Sequence, residues 1–159
     1  MHESHIDSTQ PKPVLYRALV GELSALIAGE RDLIANLANA SALIYHSLPE
    51  LNWAGFYLLK QGELVVGPFQ GKPACVRIAI GRGVCGTAAE RRETVIVRDV
   101  HEFPGHIACD SASNSEIVVP MVKNGELIGV LDLDSPQLAR FDEQDREGLE
   151  KFVAALLAT

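Results

Sequence analysis

Cys75, Cys85 and Cys109 stand in the middle of an acidic chain, at a spacing that matches neither the CxxC pair of a zinc ribbon nor an even-numbered disulfide framework. In a reducing compartment such thiols are more often reactive than structural. Cys109 lies in the polar run His106-Ile107-Ala108-Cys109-Asp110-Ser111, where solvent can reach it. It reads either as a nucleophile or as an exposed, idle thiol. Cys85 follows Gly81-Arg82-Gly83-Val84 near the start of a predicted helix, where the partial positive charge of the helix end favours a thiolate. A small packing residue between glycines would look the same. Cys75 opens a strand that reads as buried, and by itself it is core rather than chemistry. Glu116 follows the Cys109 loop, and a later strand ends in Leu131-Asp132-Leu133-Asp134, so carboxyl groups can converge near sulfur. The combination points to thiol redox chemistry on a small polar substrate.

Alternation along that later strand puts Ile128, Val130, Asp132 and Asp134 on one face, so two acids extend an apolar stripe. Unpaired buried carboxylates are costly and need a cation, hydrogen-bond donors or water. Either the strand simply ends there, with the acids capping the Ser135-Pro136 turn, or a ligand's ammonium group supplies the missing cation. The first reading suits Asp134 better than Asp132. Glu116, partly buried at a strand start, could keep a proton and act as a general acid, or could be an ordinary surface glutamate. Trp53 and Tyr57 are four apart in a strand and share a face with Gly55 between them. Such aromatics are core or pocket wall, and the gap at Gly55 would suit a methyl-sulfur group. His106 and Cys109 have an HxxC spacing, but Cys75 and Cys85 lack short-range ligand partners, so a zinc site would need assembly from distant segments. A Ser/His/Asp hydrolase is a weaker reading still, since no GxSxG elbow is present, and His101 and His106 read as loop residues.

The elements that must position these residues follow from periodicity. Residues 1–12 form a polar flexible arm, and residues 13–159 form one domain. Leu15, Leu19, Leu23, Leu26 and Ile27, then Leu33, Ile34, Leu37, Ile44 and Tyr45, follow helical spacing up to Pro49. Residues 53–59 and 63–69 make a hairpin around Lys60-Gln61-Gly62, residues 75–80 a third strand, and residues 94–98 a fourth after the short helix near Cys85. A long polar loop spans residues 99–115, and loops of that length in compact domains are often functional. Residues 116–122 and 126–134 flank Lys123-Asn124-Gly125, a hairpin turn. Asp142 caps a last helix with the stripe Leu149, Phe152, Val153, Leu156 and Leu157. The fold class is α+β, with a central, mainly antiparallel sheet.

The 159 residues suffice for a single core, and the formal charge of −7 argues against a nucleic-acid partner. The start, Met1 to Asp7, lacks the layout of a secretory signal, and no apolar run approaches the roughly 18 residues of a membrane span. A cytoplasmic protein without membrane association is expected.

Taken together, Asn52-Trp53-Ala54-Gly55-Phe56-Tyr57, Gly67-Pro68-Phe69-Gln70-Gly71-Lys72-Pro73-Ala74-Cys75, Gly81-Arg82-Gly83-Val84-Cys85-Gly86-Thr87-Ala88, His106-Ile107-Ala108-Cys109-Asp110 and Gly129-Val130-Leu131-Asp132-Leu133-Asp134-Ser135 closely resemble the free methionine-R-sulfoxide reductases, small enzymes built from one GAF domain. The resemblance runs from the second helix to the last. It implies a GAF fold with N- and C-terminal helices packed on one side of the sheet, and a homodimer. It further implies that Cys109 attacks the sulfoxide of free methionine-R-sulfoxide, Cys75 resolves the product as a disulfide, Cys85 is an auxiliary resolving or relay thiol, and thioredoxin is the reductant. Glu116, Asp132 and Asp134 would hold the substrate ammonium and help protonate the sulfoxide oxygen, and Trp53 and Tyr57 would wall the pocket. No metal or organic cofactor is expected. The competing readings are a non-catalytic GAF module sensing a small ligand or redox state, and a zinc-stabilised interaction domain. Because one domain accounts for the sequence, without an output domain, the enzyme is favoured over the sensor.

Overall fold

The computed structural model describes residues 3–106 and 110–158. Two helices, α1 (Lys12–Ile27) and α2 (Leu33–Ser47), lead into the hairpin β1 (Trp53–Lys60) and β2 (Glu63–Gly71). The short edge strand β3 (Arg77–Ala79), helix α3 (Gly83–Arg91) and strand β4 (Val95–Val97) follow. A 3₁₀ turn at Val100–Glu102 begins the long loop, and β5 (Ser115–Lys123), β6 (Glu126–Ser135) and α4 (Glu143–Leu157) complete the domain. The strands form one six-stranded sheet in the order β3-β2-β1-β6-β5-β4, with antiparallel neighbours throughout. This is the α+β arrangement that the alternating apolar runs predict.

Helices α1, α2 and α4 cover one face of the sheet. Leu19, Leu23, Leu37, Ile44, Leu149 and Phe152 pack there against Phe56, Ile117, Met121, Leu131 and Leu133. Their stripes are apolar at helical spacing, so burial against the sheet, rather than intrinsic propensity, holds them in place. Asp142 caps α4 as expected: its side chain accepts from the backbone N–H groups of Gln144 and Asp145, and Asp145 closes the reciprocal capping box. Helix α4 meets α1 through Gly148, where an added Cβ would stand 2.2 Å from Tyr16 Cγ. The Tyr16 hydroxyl donates to Asp145 Oδ1 at 2.6 Å, so the ring cannot simply swing away. Gly148→Ala is therefore expected to destabilise the fold by about 3 kcal/mol, the upper end for overpacked cores. Urea denaturation should show a lower midpoint with an unchanged slope.

Among the described residues, the opposite face carries α3 and the strand-to-loop connections. Val84, Cys85, Ala88 and Ala89 pack there with Trp53, Tyr57, Leu64, Ile78, Val118 and Val130. Two expectations fail on this face. The strand after Cys75 is confined to Arg77–Ala79 at the sheet edge, with only Ile78 buried and Val76 60% exposed, so Cys75 precedes a strand instead of opening a buried one. An edge strand has a single neighbour and can bury one side chain in this short span. Ile128 also leaves the stripe of Val130, Asp132 and Asp134, because the β5–β6 pairing shifts register between Met121 and Val122. The irregularity turns Ile128 toward the helical face, where it packs with the main core.

Candidate active site

Strands β1, β3, β5 and β6 and helix α3 build a cavity on the α3 face. In the register, Gly55 lies opposite Asp132 and Trp53 opposite Asp134, while on the other side of β6, Glu116 faces Asp134 and Val118 faces Asp132. Directly opposite residues in an antiparallel pair sit within about 5.5 Å of one another. The pleat thus delivers Glu116, Asp132 and Asp134 to a common face. Helix α3 brings Cys85 down onto them, so that its Sγ and carboxyl oxygens of Glu116 and Asp132 all lie within 4.8 Å of one another. Trp53, Tyr57, Cys85, Glu116, Asp132 and Asp134 line the same cavity, with Arg82, His106 and Asp110 at its wall.

Burial dominates the electrostatics. Glu116 is pushed well above the ordinary glutamate range, first by removal from water and then by the Asp132 and Asp134 charges. Asp134, half-buried, is raised for the same reasons. Asp132 is also raised by burial, and proton sharing with Glu116, Cys85 and Asp134 pulls it part of the way back. Asp132 Oδ1 is buried without a hydrogen-bond partner among the described residues. Like charges packed this closely cannot all ionise unless a cation joins them.

Cys85 departs from the expectation of an activated thiolate. It lies in the first turn of α3, but it is 4% exposed, and burial followed by the Asp132, Glu116 and Asp134 charges drives its pKa well above the usual thiol value. A helix end offers about 0.3–1 kcal/mol to a nearby charge, which cannot offset full burial against carboxyl groups. The third residue of the helix is glycine-backed for a steric reason: a Cβ at Gly86 would lie 2.5 Å from the carbonyl oxygen of Ala79. The first turn of α3 can therefore press against the end of β3, with its N-cap residue Arg82 providing no side-chain cap.

The aromatic wall is tighter than the sequence implies. Trp53 stacks on Tyr57 with ring centroids 5.9 Å apart and on Phe69 at 5.1 Å. The gap expected beside Gly55 is occupied, because an added Cβ there would stand 2.2 Å from Phe69 Cβ. Gly55 admits Phe69, and no free recess remains for a ligand at that point. The polar edges of both pocket aromatics anchor the Cys75 segment: Trp53 Nε1 donates to the Lys72 carbonyl at 3.1 Å and the Tyr57 hydroxyl to the Cys75 carbonyl at 3.0 Å. Burial and the neighbouring Asp132 charge raise Tyr57, so its hydroxyl stays a donor.

Cys75 is disulfide-bonded, whereas Cys85 is a free thiol. Cys109 lies outside the described residues. Its flanks are described: His106 and Asp110 reach the cavity wall. Asn52, which the sequence does not mark as a site residue, ties this loop to the start of β1, since its Nδ2 donates to Asp110 Oδ2 and to Ser113 Oγ, each at 3.0 Å. Arg82 and Ser113 also escaped the sequence reading as cavity residues. The only hint for Asn52 was its position directly before Trp53, and that for Arg82 its place in the glycine-rich entry to α3.

Comparison with known proteins sets this geometry in a family. The GAF domain model matches residues 15–159. The free methionine-R-sulfoxide reductase of Escherichia coli (strain K12) is 56% identical over 145 residues, covering 91% of this chain and 88% of the relative. The chain belongs to the free methionine-R-sulfoxide reductases. The yeast (Saccharomyces cerevisiae) free methionine-R-sulfoxide reductase is 46% identical over 160 residues, covering 94% of this chain and 89% of the relative. The X-ray structure of the Neisseria meningitidis free methionine-R-sulfoxide reductase in complex with its substrate superimposes with a TM-score of 0.93 at 46% identity, covering 98% of this chain and 93% of that one. In this free methionine-R-sulfoxide reductase family member, no helix among the described residues is long and apolar enough to cross a membrane.

Proposed function

We propose that the chain reduces free L-methionine-(R)-S-oxide to L-methionine through cysteine thiol, sulfenic acid and disulfide states, with thioredoxin as reductant. The observation that carries this reading is the group of buried Glu116 and Asp132 with half-buried Asp134, which forms no salt bridge among the described residues and lines a cavity together with Trp53 and Tyr57. A free amino acid brings an ammonium group that satisfies these acids, and Asp132 Oδ1 awaits such a donor. Peptide-bound methionine has no ammonium to offer. Arg82 and the uncapped first turn of α3, on the same wall, suit the substrate carboxylate.

The chemistry needs a nucleophile, an acid and a second thiol. Cys109 attacks the sulfoxide sulfur while Glu116, kept protonated by burial, donates toward the departing oxygen. Oxygen passes to the cysteine, giving a sulfenic acid and methionine. Cys75 then displaces water to form a disulfide, and a thioredoxin dithiol reduces it to two thiols. The disulfide-bonded state of Cys75 supports its assignment as the resolving thiol. Cys85, held protonated, serves as an auxiliary relay thiol rather than the attacking group. Residues 13–159 make up the catalytic GAF domain, residues 1–12 an arm, and the active form is a cytoplasmic homodimer.

Turnover of separated methionine sulfoxide epimers, free and peptide-bound, with a thioredoxin system tests the reading. Reduction of the free R epimer at least about a hundredfold faster than the peptide-bound R form is expected, as a site built around a buried charge discriminates strongly against ligands that leave it unpaired, and the free S epimer, which carries the same ammonium, tests the handedness of the pocket at sulfur. No reduction of any epimer would instead favour a sensing module.

A further inference from the structure

The substrate cavity also contains the beginnings of a metal site that the reduction reaction does not require. Cys85, Glu116 and Asp132 are all buried, and one donor atom of each falls within 4.8 Å of the others. Asp132 is 5% exposed, and its Oδ1 has no hydrogen-bond partner among the described residues. These two observations are independent: one concerns the spacing of three donors, the other a buried acceptor left unsatisfied among them.

We propose that this triad binds a zinc-class divalent cation reversibly, with one sulfur and two carboxylate ligands and a fourth position open to the cavity. The donor set suits zinc, which takes thiolate sulfur at about 2.3 Å and carboxylate oxygen at about 2.0–2.2 Å. Tetrahedral ligands at those bond lengths stand about 3.5 Å apart, so donors no more than 4.8 Å apart need only small side-chain rotations to close on the ion. Magnesium and calcium prefer more numerous oxygen ligands and are poorly served by a thiol. The ion would meet the same need that the substrate ammonium meets in the proposed reaction, and would occupy its place. Free zinc thus becomes a competitive inhibitor, and the occupied thiol is shielded from exchange. The competition, though not the metal site itself, rests on the proposed binding of the ammonium by these acids.

The test uses the full chain with the Cys75 disulfide intact and Cys85 as a free thiol. Zinc sulfate is titrated calorimetrically into wild-type protein and into the Cys85→Ala, Asp132→Asn and Glu116→Gln variants, each checked for native near-ultraviolet circular dichroism. One zinc per chain, with affinity reduced at least about tenfold in each folded variant, is expected. Cobalt(II) provides a second readout: wild type should give a thiolate-to-metal charge-transfer band that Cys85→Ala lacks, and this signal needs no carboxylate variant to fold. Absence of zinc binding to the wild type, or binding of equal strength in Cys85→Ala, overturns the proposal. Addition of free methionine, which carries the ammonium but cannot be reduced, separates the two readings. Weaker zinc binding in its presence supports a shared site. Unaltered zinc binding, with the triad dependence intact, upholds the metal site and removes the ammonium assignment.

Discussion

Cys109→Ser is expected to lower turnover of free methionine-R-sulfoxide by about 10⁴-fold or more, as removal of a nucleophile does in other covalent mechanisms. The companion substitution separates attack from resolution. Cys75→Ser should release about one methionine per site in a rapid-quench experiment and then stop, because its sulfenic acid has no partner from which thioredoxin can regenerate the thiol. Mass spectrometry of the stalled protein should find one added oxygen, or its dimedone adduct. Two results would sink the assignment: multiple turnover by Cys109→Ser, or steady turnover by Cys75→Ser at the wild-type rate. The latter would transfer the resolving role to Cys85. The structure gives a reason to expect otherwise, since burial first, and then the surrounding carboxyl groups, keep the Cys85 thiol protonated.

The parts of this molecule that follow from local rules were legible in its sequence. Helical spacing located α1, α2 and α4, the Asp142 cap fixed the start of α4, and Asn124-Gly125 marked the turn between β5 and β6. Alternation alone placed Asp132 and Asp134 on one face of β6, and the register adds Glu116 from the neighbouring strand. What the sequence concealed depends on contacts between distant segments. Nothing near Ile128 announces the register shift that moves it to the other face. Nothing near Gly55 tells that Phe69 would fill its gap, and the sign of the Cys85 shift is set first by burial under distant segments and then by the acids of β5 and β6. Asn52 is a similar case: its role of holding Asp110 and Ser113 appears only after the loop has folded over β1. Helix-end electrostatics were a sound local argument at Cys85, but burial is a tertiary quantity and the larger of the two effects.

Glu116→Gln tests whether the acid cluster trades stability for chemistry. Glutamine has nearly the same shape but cannot release a proton to the sulfoxide oxygen, so kcat/KM should fall by about 10²–10⁴-fold, the usual contribution of a general acid. The same change should stabilise the fold at neutral and alkaline pH. The folded-state pKa of Glu116 lies well above its unfolded value, so between those two values the native state binds more protons than the unfolded chain. Its contribution is fully present below the ordinary glutamate pKa and is lost as pH rises through the raised folded value. Asp134, raised in the same direction, adds to this slope. Wild-type Tm should therefore fall as pH increases above the usual carboxylate range. In Glu116→Gln the neutral amide removes one of the competing acids and offers an N–H donor toward the unpaired Asp132 Oδ1. A flatter Tm–pH profile and a higher Tm than wild type at pH above neutrality are expected from scanning calorimetry, together with the loss of activity. Retained activity with an unchanged profile would mean that Glu116 is ionised and solvated in the working enzyme, and that the proton for the departing oxygen comes from elsewhere.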